Sequence, residues 1–163
     1  KDRADGLKQI SSMLNSSGLT SVHDARVSKD EFLTYQDGEK NGDLGIRVYM
    51  LMAQDLFPGL RDAGVKTGFG SEMLKVGGIK MTSDGAIAAR TAWLSEPYIG
   101  SEDDCGIQAM DQEELDDQVI QMHNAGFQVC VHANGDSAIS MVFSFGLFPA
   151  LPSPSNRVST LMV

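Results

Sequence analysis

The sequence predicts an α/β fold in which about four helix–strand units build one parallel sheet. Apolar runs bounded by turn residues are typical of buried strands, and segments with apolar residues at helical spacing alternate with them. The strands are expected near residues 19–23, 46–52, 76–81 and 127–132, and the helices near 4–14, 28–37, 54–63 and 111–125. This alternation, with strands that are largely apolar, predicts a parallel sheet covered by helices. Four such units correspond to half of an eightfold barrel or to a small doubly wound sheet.

Length and composition are those of one globular domain or of a piece of a larger one. The 163 residues are 42% hydrophobic and 21% charged, and the net charge of −9 argues against a nucleic-acid partner. No apolar run approaches the roughly 20 residues of a transmembrane helix, and the polar start is unlike a signal peptide. The first residue is not methionine, which favours a chain that is cut at its start. Cys105 and Cys130 fit neither a disulfide framework nor zinc spacing, so a reducing, cytoplasmic setting is expected.

Capping and turn residues set the expected boundaries of the helices. The first helix should end before Gly18, and the second should begin at Ser28 with Glu31 completing a capping box. A polar loop is expected over residues 37–43. Asp111 should cap the helix expected near residues 111–125.

Two long stretches show no clear period. Residues 85–110 form a long irregular segment, which inside a compact domain is often a functional loop. Residues 143–163 contain three prolines and no acidic residue, and the helix that begins near Asp136 loses its pattern around residues 145–146. We therefore divide the chain into an α/β part, residues 1–142, and an atypical C-terminal tail, residues 143–163.

Two of the predicted strands carry a chemically active side chain near their carboxyl ends. Strand alternation places Cys130 and His132 on one face of their strand, and Lys80, Thr82 and Asp84 on one face of theirs. Parallel α/β folds bind ligands at this edge of the sheet. Lys80 is either a lysine that reaches water or a buried amine with a lowered pKa, whose neutral form can add carbon dioxide. His132 is either a neutral metal-binding imidazole or a core histidine bound to the backbone.

Other polar residues near this edge have both a structural and a chemical interpretation. Asp84 and Asp136 are expected to cap turns or helices, and the second interpretation is contact with a metal ligand or with substrate. Arg90, Trp93 and Tyr98 lie in the long irregular segment. They either line a substrate pocket or pack the segment onto the sheet.

The two remaining histidines are not expected to bind a metal or to take part in catalysis. His23 and Asp24 end the first predicted strand, and a structural role is favoured for this pair over metal binding. His123 belongs to the helix over residues 111–125 and is expected at its surface.

Five separated segments carry a recognisable set of motifs. They are Leu19–Asp24, Ile79–Gly85, Ala89–Ala92, Glu96–Tyr98 and Val131–Asp136. In order and spacing they resemble the amidohydrolase superfamily, subgroup amidohydrolase 3, from about residue 4 to residue 142. Each segment alone is a weak signal, and their agreement makes the resemblance specific.

The resemblance implies a metal-dependent hydrolase on a (β/α)8 TIM-type barrel that cleaves C–N bonds of amides or formamides in a small-molecule substrate. It maps Lys80 onto a carbamylated lysine that bridges two metals, and His132 onto a metal-ligand histidine. The implied cofactor is a divalent metal, zinc, as one or two ions. Neither nucleic acid nor a membrane is an expected partner, whereas the unpaired strand edges of a partial barrel favour a homo-oligomer.

The chain departs from the family pattern at several places. The first-strand His-x-His pair is absent, and so are the later histidine and aspartate. Asn134 stands where an apolar residue is usual, Ser137 stands where an arginine is usual, and residues 143–163 depart altogether. We therefore expect a fragment of a barrel that is inactive on its own. The alternative is a non-catalytic α/β module that binds a small molecule or a partner through residues 85–110.

Overall fold

The structure, a computed structural model, describes residues 2–145. The helices are α1 Asp2–Ser16, α2 Lys29–Asn41, α3 Phe57–Asp62, α4 Gln112–Asn124 and α5 Asp136–Phe145. The strands are β1 Ser21–Val27, β2 Arg47–Ala53, β3 Leu74–Thr82 and β4 Val129–His132. Short 3-10 turns occupy Gln54–Leu56 and Ile87–Ala89. The predicted tail begins inside α5, and its residues 146–163 lie outside the described residues.

The four strands form one parallel sheet in the order β1-β2-β3-β4. Together with the alternating helices, this order confirms the predicted partial α/β barrel of the TIM type. The chain divides into two compact units, residues 1–79 and 80–163, and the division falls within β3. Among the described helices, none combines the length and apolarity needed to cross a membrane.

Helix α2 of the first unit begins as predicted and ends later than predicted. Ser28 and Glu31 form the expected capping box, in which the Glu31 carboxylate accepts from the Ser28 backbone N–H at 2.8 Å. The loop predicted over residues 37–43 is wrong, because α2 continues to Asn41. A Cβ at Gly38 would overlap the Leu7 side chain, so glycine lets α1 and α2 approach closely. This tertiary contact outweighs the weak helix propensity of glycine.

Strands β1 and β2 pair in parallel with His23 opposite Tyr49. The two rings lie 4.8 Å apart between centroids, and the Tyr49 hydroxyl donates to the Gly77 carbonyl at 2.9 Å. A Cβ at Gly77 would overlap the Tyr49 ring. Gly77 in β3 therefore makes room for an aromatic ring at this point, as glycine in a strand often does.

Helix α4 of the second unit begins at the predicted cap, where Asp111 accepts from the Glu114 backbone N–H at 2.8 Å. Its Leu115 and Val119 side chains are buried. The predicted surface position of His123 is wrong, since the residue is only 7% exposed. His123 follows Val119 by four residues, so the two side chains share the buried face of the helix.

Candidate metal centre at the ends of β3 and β4

Lys80 lies near the carboxyl end of β3 with only 7% of its surface exposed. Among the side chains that the structure describes, its Nζ is one of two buried polar atoms without a hydrogen-bond partner. Burial lowers the pKa of the Lys80 amine, because a charged ammonium is poorly stabilised away from water. The structure therefore favours a buried amine over a side chain that reaches solvent.

Cys130 on β4 is the electrostatic neighbour of Lys80. It is a free, buried cysteine, and burial raises the pKa of its thiol. Side chains that alternate along β4 put Cys130 and His132 on one face. The Cys130 thiol and the Lys80 amine interact electrostatically across the neighbouring strands β3 and β4.

His132 ends β4 and is half-buried, with 21% of its side chain exposed. Its Nε2 lies 2.9 Å from the Gly85 carbonyl oxygen and 3.8 Å from Asp84 Oδ1. The Asn134 amide donates to the same Gly85 oxygen at 3.0 Å. A carbonyl oxygen can only accept, so Nε2 carries a proton and the lone pair of a neutral His132 is on Nδ1.

Asp84 is almost completely buried, at 1% exposure, and caps backbone groups as the sequence predicted. Oδ2 accepts from the backbone N–H groups of Trp93 at 2.9 Å and Gly135 at 2.6 Å. Oδ1 accepts from the backbone N–H of Asn134 at 2.9 Å. Asp84 therefore joins residue 93 of the long loop to the turn that follows His132.

Ser83 is a residue of this site that sequence reasoning missed. Its backbone N–H donates to the His132 carbonyl at 2.9 Å, and its hydroxyl donates to the same oxygen. Its own carbonyl accepts from the Ala109 backbone N–H at 3.0 Å. These bonds fix the end of β4 against the end of β3. A serine beside an aspartate carries no pattern that would have revealed this role.

Asp136 is exposed at the start of α5. It accepts from the Ser95 backbone N–H at 3.0 Å and from the Ser95 hydroxyl. The Ser95 hydrogen bonds hold the pKa of the Asp136 carboxyl below its usual value. These contacts connect the long loop to α5.

The three loop residues predicted to contact substrate have different surroundings. The Arg90 guanidinium lies 5.2 Å from the centroid of the Tyr98 ring, and the Tyr98 hydroxyl donates to the Ala92 carbonyl at 2.9 Å. Arg90 and Tyr98 thus pack within the loop. Trp93 is half-buried and lines a cleft of about 320 Å³ with Gln108 and Met141. A substrate contact stays a prediction for all three.

The pair His23 and Asp24 belongs to the first unit. The prediction that this pair ends the first strand is wrong, because β1 continues to Val27. Asp24 accepts a hydrogen bond from the Tyr35 hydroxyl at 2.6 Å, and His23 is exposed beside Tyr49. Burial, followed by the bond to Asp24, raises the pKa of Tyr35. Both side chains have structural contacts within the first unit.

Within the described residues, no group of three or more histidines, cysteines or carboxylates is arranged to hold a metal ion. The candidate centre consists instead of Lys80 and His132 on neighbouring strands. A lysine becomes a metal ligand only as a neutral amine or, after reaction with carbon dioxide, as a carbamate.

A parallel α/β sheet with an amine and an imidazole at its carboxyl edge is the arrangement of a barrel-type protein that binds its ligands at that edge. A family model described as the amidohydrolase family matches residues 1–145. The chain therefore belongs to the amidohydrolase family.

Two curated proteins are similar to part of the chain. One is the protein LONG AFTER FAR-RED 3 of Arabidopsis thaliana, 36% identical over 72 residues, which are 44% of this chain and 12% of that protein. The other is the putative amidohydrolase YtcJ of Bacillus subtilis strain 168, 37% identical over 71 residues, 44% of this chain and 13% of that protein. The matched part is thus a small share of either relative.

Two solved structures have the same fold over most of the chain. An uncharacterized metal-dependent hydrolase from Pyrococcus horikoshii OT3 has a TM-score of 0.81 and 28% identity, covering 88% of this chain and 30% of that one. An uncharacterized metal-dependent hydrolase from Pyrococcus furiosus has a TM-score of 0.78 and 28% identity, covering 85% and 29%. This chain therefore spans less than a third of either solved structure.

Proposed function

We propose that Lys80, as a carbamate, and His132 are ligands of a divalent metal in a hydrolase that cleaves amide or formamide-type C–N bonds. The observation that carries the proposal is the buried Lys80 amine without a hydrogen-bond partner among the described residues. Leaving such a group unpaired is costly, so a protein that keeps one needs a compensating interaction. Family membership and the names of the two Pyrococcus proteins support a metal-dependent hydrolase.

The chemistry of Lys80 fits this role. Its neutral amine attacks carbon dioxide, a C–N bond forms, and one amine proton leaves to solvent. The product is a carbamate with two oxygen atoms and one negative charge. Because burial disfavours the ammonium, more of the lysine is in the reactive neutral form than at an exposed position. The two oxygens suit a ligand that bridges two divalent ions.

His132 supplies the nitrogen of the proposed ligand set. Its Nε2 proton is directed to the Gly85 carbonyl at 2.9 Å, so Nδ1 is the atom that can donate a lone pair. Nitrogen and carboxylate-type oxygen are ligands that zinc accepts readily, and we propose zinc, as one or two ions. A bound divalent ion would polarise the scissile carbonyl and acidify a water molecule.

The long loop is the proposed contact surface for a small-molecule substrate. Trp93 and the polar side chains around its cleft provide an apolar wall and hydrogen-bonding groups. The packing of Arg90 on Tyr98 and the bond from Tyr98 to Ala92 hold the loop in one conformation. In this proposal the loop orients the substrate over the edge that carries Lys80 and His132.

Carbamate formation and metal content test the proposal together. The chain is prepared with ¹³C-bicarbonate and zinc, examined by ¹³C NMR for a carbamate signal, and analysed for bound metal. Lys80→Ala should lose both the signal and the metal. Lys75→Ala is the matched control, because Lys75 lies on the same strand with its side chain exposed, and it should retain both. A metal-free protein without a carbamate signal would contradict the proposal and favour a non-catalytic binding module.

A further inference from the structure

Asp84 has a distinctive position beside the proposed ligand His132. Its carboxylate is buried and accepts three backbone N–H groups, from Trp93, Asn134 and Gly135. Hydrogen bonds from N–H donors are what stabilise an ionised carboxylate away from water. Two of these donors follow His132 by two and three residues. The carboxylate thus holds the turn immediately after the proposed ligand.

The same turn contacts the long loop closely. A Cβ at Gly135 would overlap the Trp93 backbone oxygen, so the turn needs glycine at this position. The Trp93 N–H and the Gly135 N–H meet at one oxygen of Asp84. Loop and turn are therefore connected through a single carboxylate, and neither can shift without breaking its bond to Asp84.

The turn that Asp84 holds also contacts the carbonyl of the next residue, Gly85. The Gly85 carbonyl oxygen lies 2.9 Å from the His132 Nε2 and accepts a hydrogen bond from the Asn134 side-chain amide at 3.0 Å. A carbonyl oxygen has two lone pairs, so it can accept both donors at once. Because this oxygen cannot donate, the opposite tautomer would bring a ring lone pair against a carbonyl lone pair.

We infer that Asp84, together with Asn134, is the positioning residue that fixes the tautomer of His132 and makes Nδ1 its ligand atom. Asp84 holds the turn of Asn134 through the Asn134 backbone N–H, and the Asn134 amide binds the Gly85 carbonyl that faces the His132 ring. Neither residue needs to touch a metal or a substrate. This inference deepens the proposed function and rests on it for its consequence, while the tautomer itself is a property of the protein alone.

The test reads the tautomer directly in the metal-free 163-residue chain. Long-range ¹H–¹⁵N NMR of ¹⁵N-histidine protein, in mildly alkaline buffer where imidazole is neutral, should show His132 as the Nε2–H tautomer. His132→Gln identifies its signals among the three histidines. Asp84→Asn should populate the Nδ1–H tautomer and weaken zinc binding by roughly 10-fold, the lower end for groups that support a metal ligand.

Asp136→Asn is the matched control. It makes the same chemical change on an aspartate that holds the same loop through Ser95, with its own side chain exposed. It should leave the tautomer and the zinc affinity unchanged. A change of tautomer in Asp136→Asn equal to that in Asp84→Asn would overturn the inference, because general loosening of the loop would then explain both.

If Asp84→Asn does not fold, Asn134→Ala provides a second test of what fixes the His132 tautomer. It keeps the backbone N–H that binds Asp84 and removes only the amide at the Gly85 oxygen. A measurable population of the Nδ1–H tautomer supports the inference, and an unchanged spectrum overturns it. An Nδ1–H tautomer in the unmodified chain also overturns it, whether or not metal binds. Loss of metal binding with the Nε2–H tautomer intact would instead refute the proposed function alone.

Discussion

Each of the two units carries a histidine and an aspartate, and the two pairs have very different surroundings. In the first unit His23 is exposed, and Asp24 accepts one bond from the Tyr35 hydroxyl. In the second unit Asp84 is buried beneath three backbone N–H donors, and His132 is held by a carbonyl oxygen. The difference teaches that burial and backbone partners, more than residue type, mark the candidate site.

Two lysines on β3 show the same contrast between an exposed and a buried side chain. Lys75 is exposed, whereas Lys80 is buried with an amine that has no hydrogen-bond partner among the described residues. The ammonium of an exposed lysine is hydrated and unreactive toward carbon dioxide near neutral pH. Five positions along one strand therefore separate an ordinary surface lysine from a candidate ligand.

The largest expected effect is on turnover, at Lys80. In a full-length version of the protein, Lys80→Ala should abolish hydrolysis of simple N-acyl and formamide substrates, because no carbamate can form. Added bicarbonate with a short carboxylic acid is expected to restore part of the rate by placing a free carboxylate in the vacated space. Initial-rate measurements beside Lys75→Ala provide the check. Retained turnover in Lys80→Ala would show that the carbamate assignment is wrong.

The next largest effect is on stability, at the two aspartates. Asp84→Ala leaves three backbone N–H groups without their acceptor, and we expect a loss of at least about 3 kcal/mol in the free energy of unfolding. Asp24→Ala removes one hydrogen bond from a half-buried tyrosine and should cost about 1 kcal/mol. Urea denaturation measures both changes. Equal losses would mean that the aspartates have equivalent structural roles, against the comparison drawn above.

The parts of the fold that were predictable are those with a local pattern. The strands of Lys80 and His132 are apolar runs, and Ser28 and Asp111 start helices through contacts three residues away. The loop predicted at 37–43 failed because Gly38 contacts Leu7, a residue far away in sequence. Local propensity predicts that the helix ends at a glycine. Close packing of the two helices instead requires a glycine within the helix.

For the candidate site, the sequence suggested which side chains to consider but not the backbone groups that hold them. The strand pattern placed Lys80 and His132 near the carboxyl ends of their strands, and only the resemblance to the amidohydrolase superfamily implied that they bind a metal. The strand pattern could not identify the backbone partners of Asp84 and His132. His132 contacts the Gly85 carbonyl, 47 residues away in sequence, and Asp84 accepts from the Gly135 N–H, 51 residues away. Every residue has a backbone C=O, and every residue except proline has a backbone N–H, so such partners leave no trace in residue type.

A smaller effect is expected at Gly77, which tests how tightly the first unit is packed. Gly77→Ala would press a methyl group into the Tyr49 ring, and we expect a loss of about 1–3 kcal/mol from overpacking. In a Tyr49→Ala background the same change should cost less, because the ring is gone. Gly59→Ala is the control, since a Cβ there meets nothing within 4 Å. Equal costs of Gly77→Ala in both backgrounds, measured by urea denaturation, would contradict this contact.

The smallest effect concerns the exposed Asp136, whose pKa is held below the ordinary value of 3.8 by hydrogen bonds from Ser95. An aspartate whose pKa is lower in the folded state stabilises the fold above its unfolded pKa and loses that contribution as the pH falls through its folded pKa. Ser95→Ala removes the hydroxyl bond, so the pKa of Asp136 should rise toward 3.8. The stability difference between the two proteins should therefore be largest near neutral pH and shrink as the pH falls below about 3.8. NMR titration of the Asp136 carboxyl measures the pKa change. Thermal melts near neutral pH and below about pH 3.8 measure the stability difference. An unshifted pKa in Ser95→Ala would show that the hydroxyl contributes nothing to the connection between the loop and α5, and that the backbone N–H of residue 95 maintains it alone.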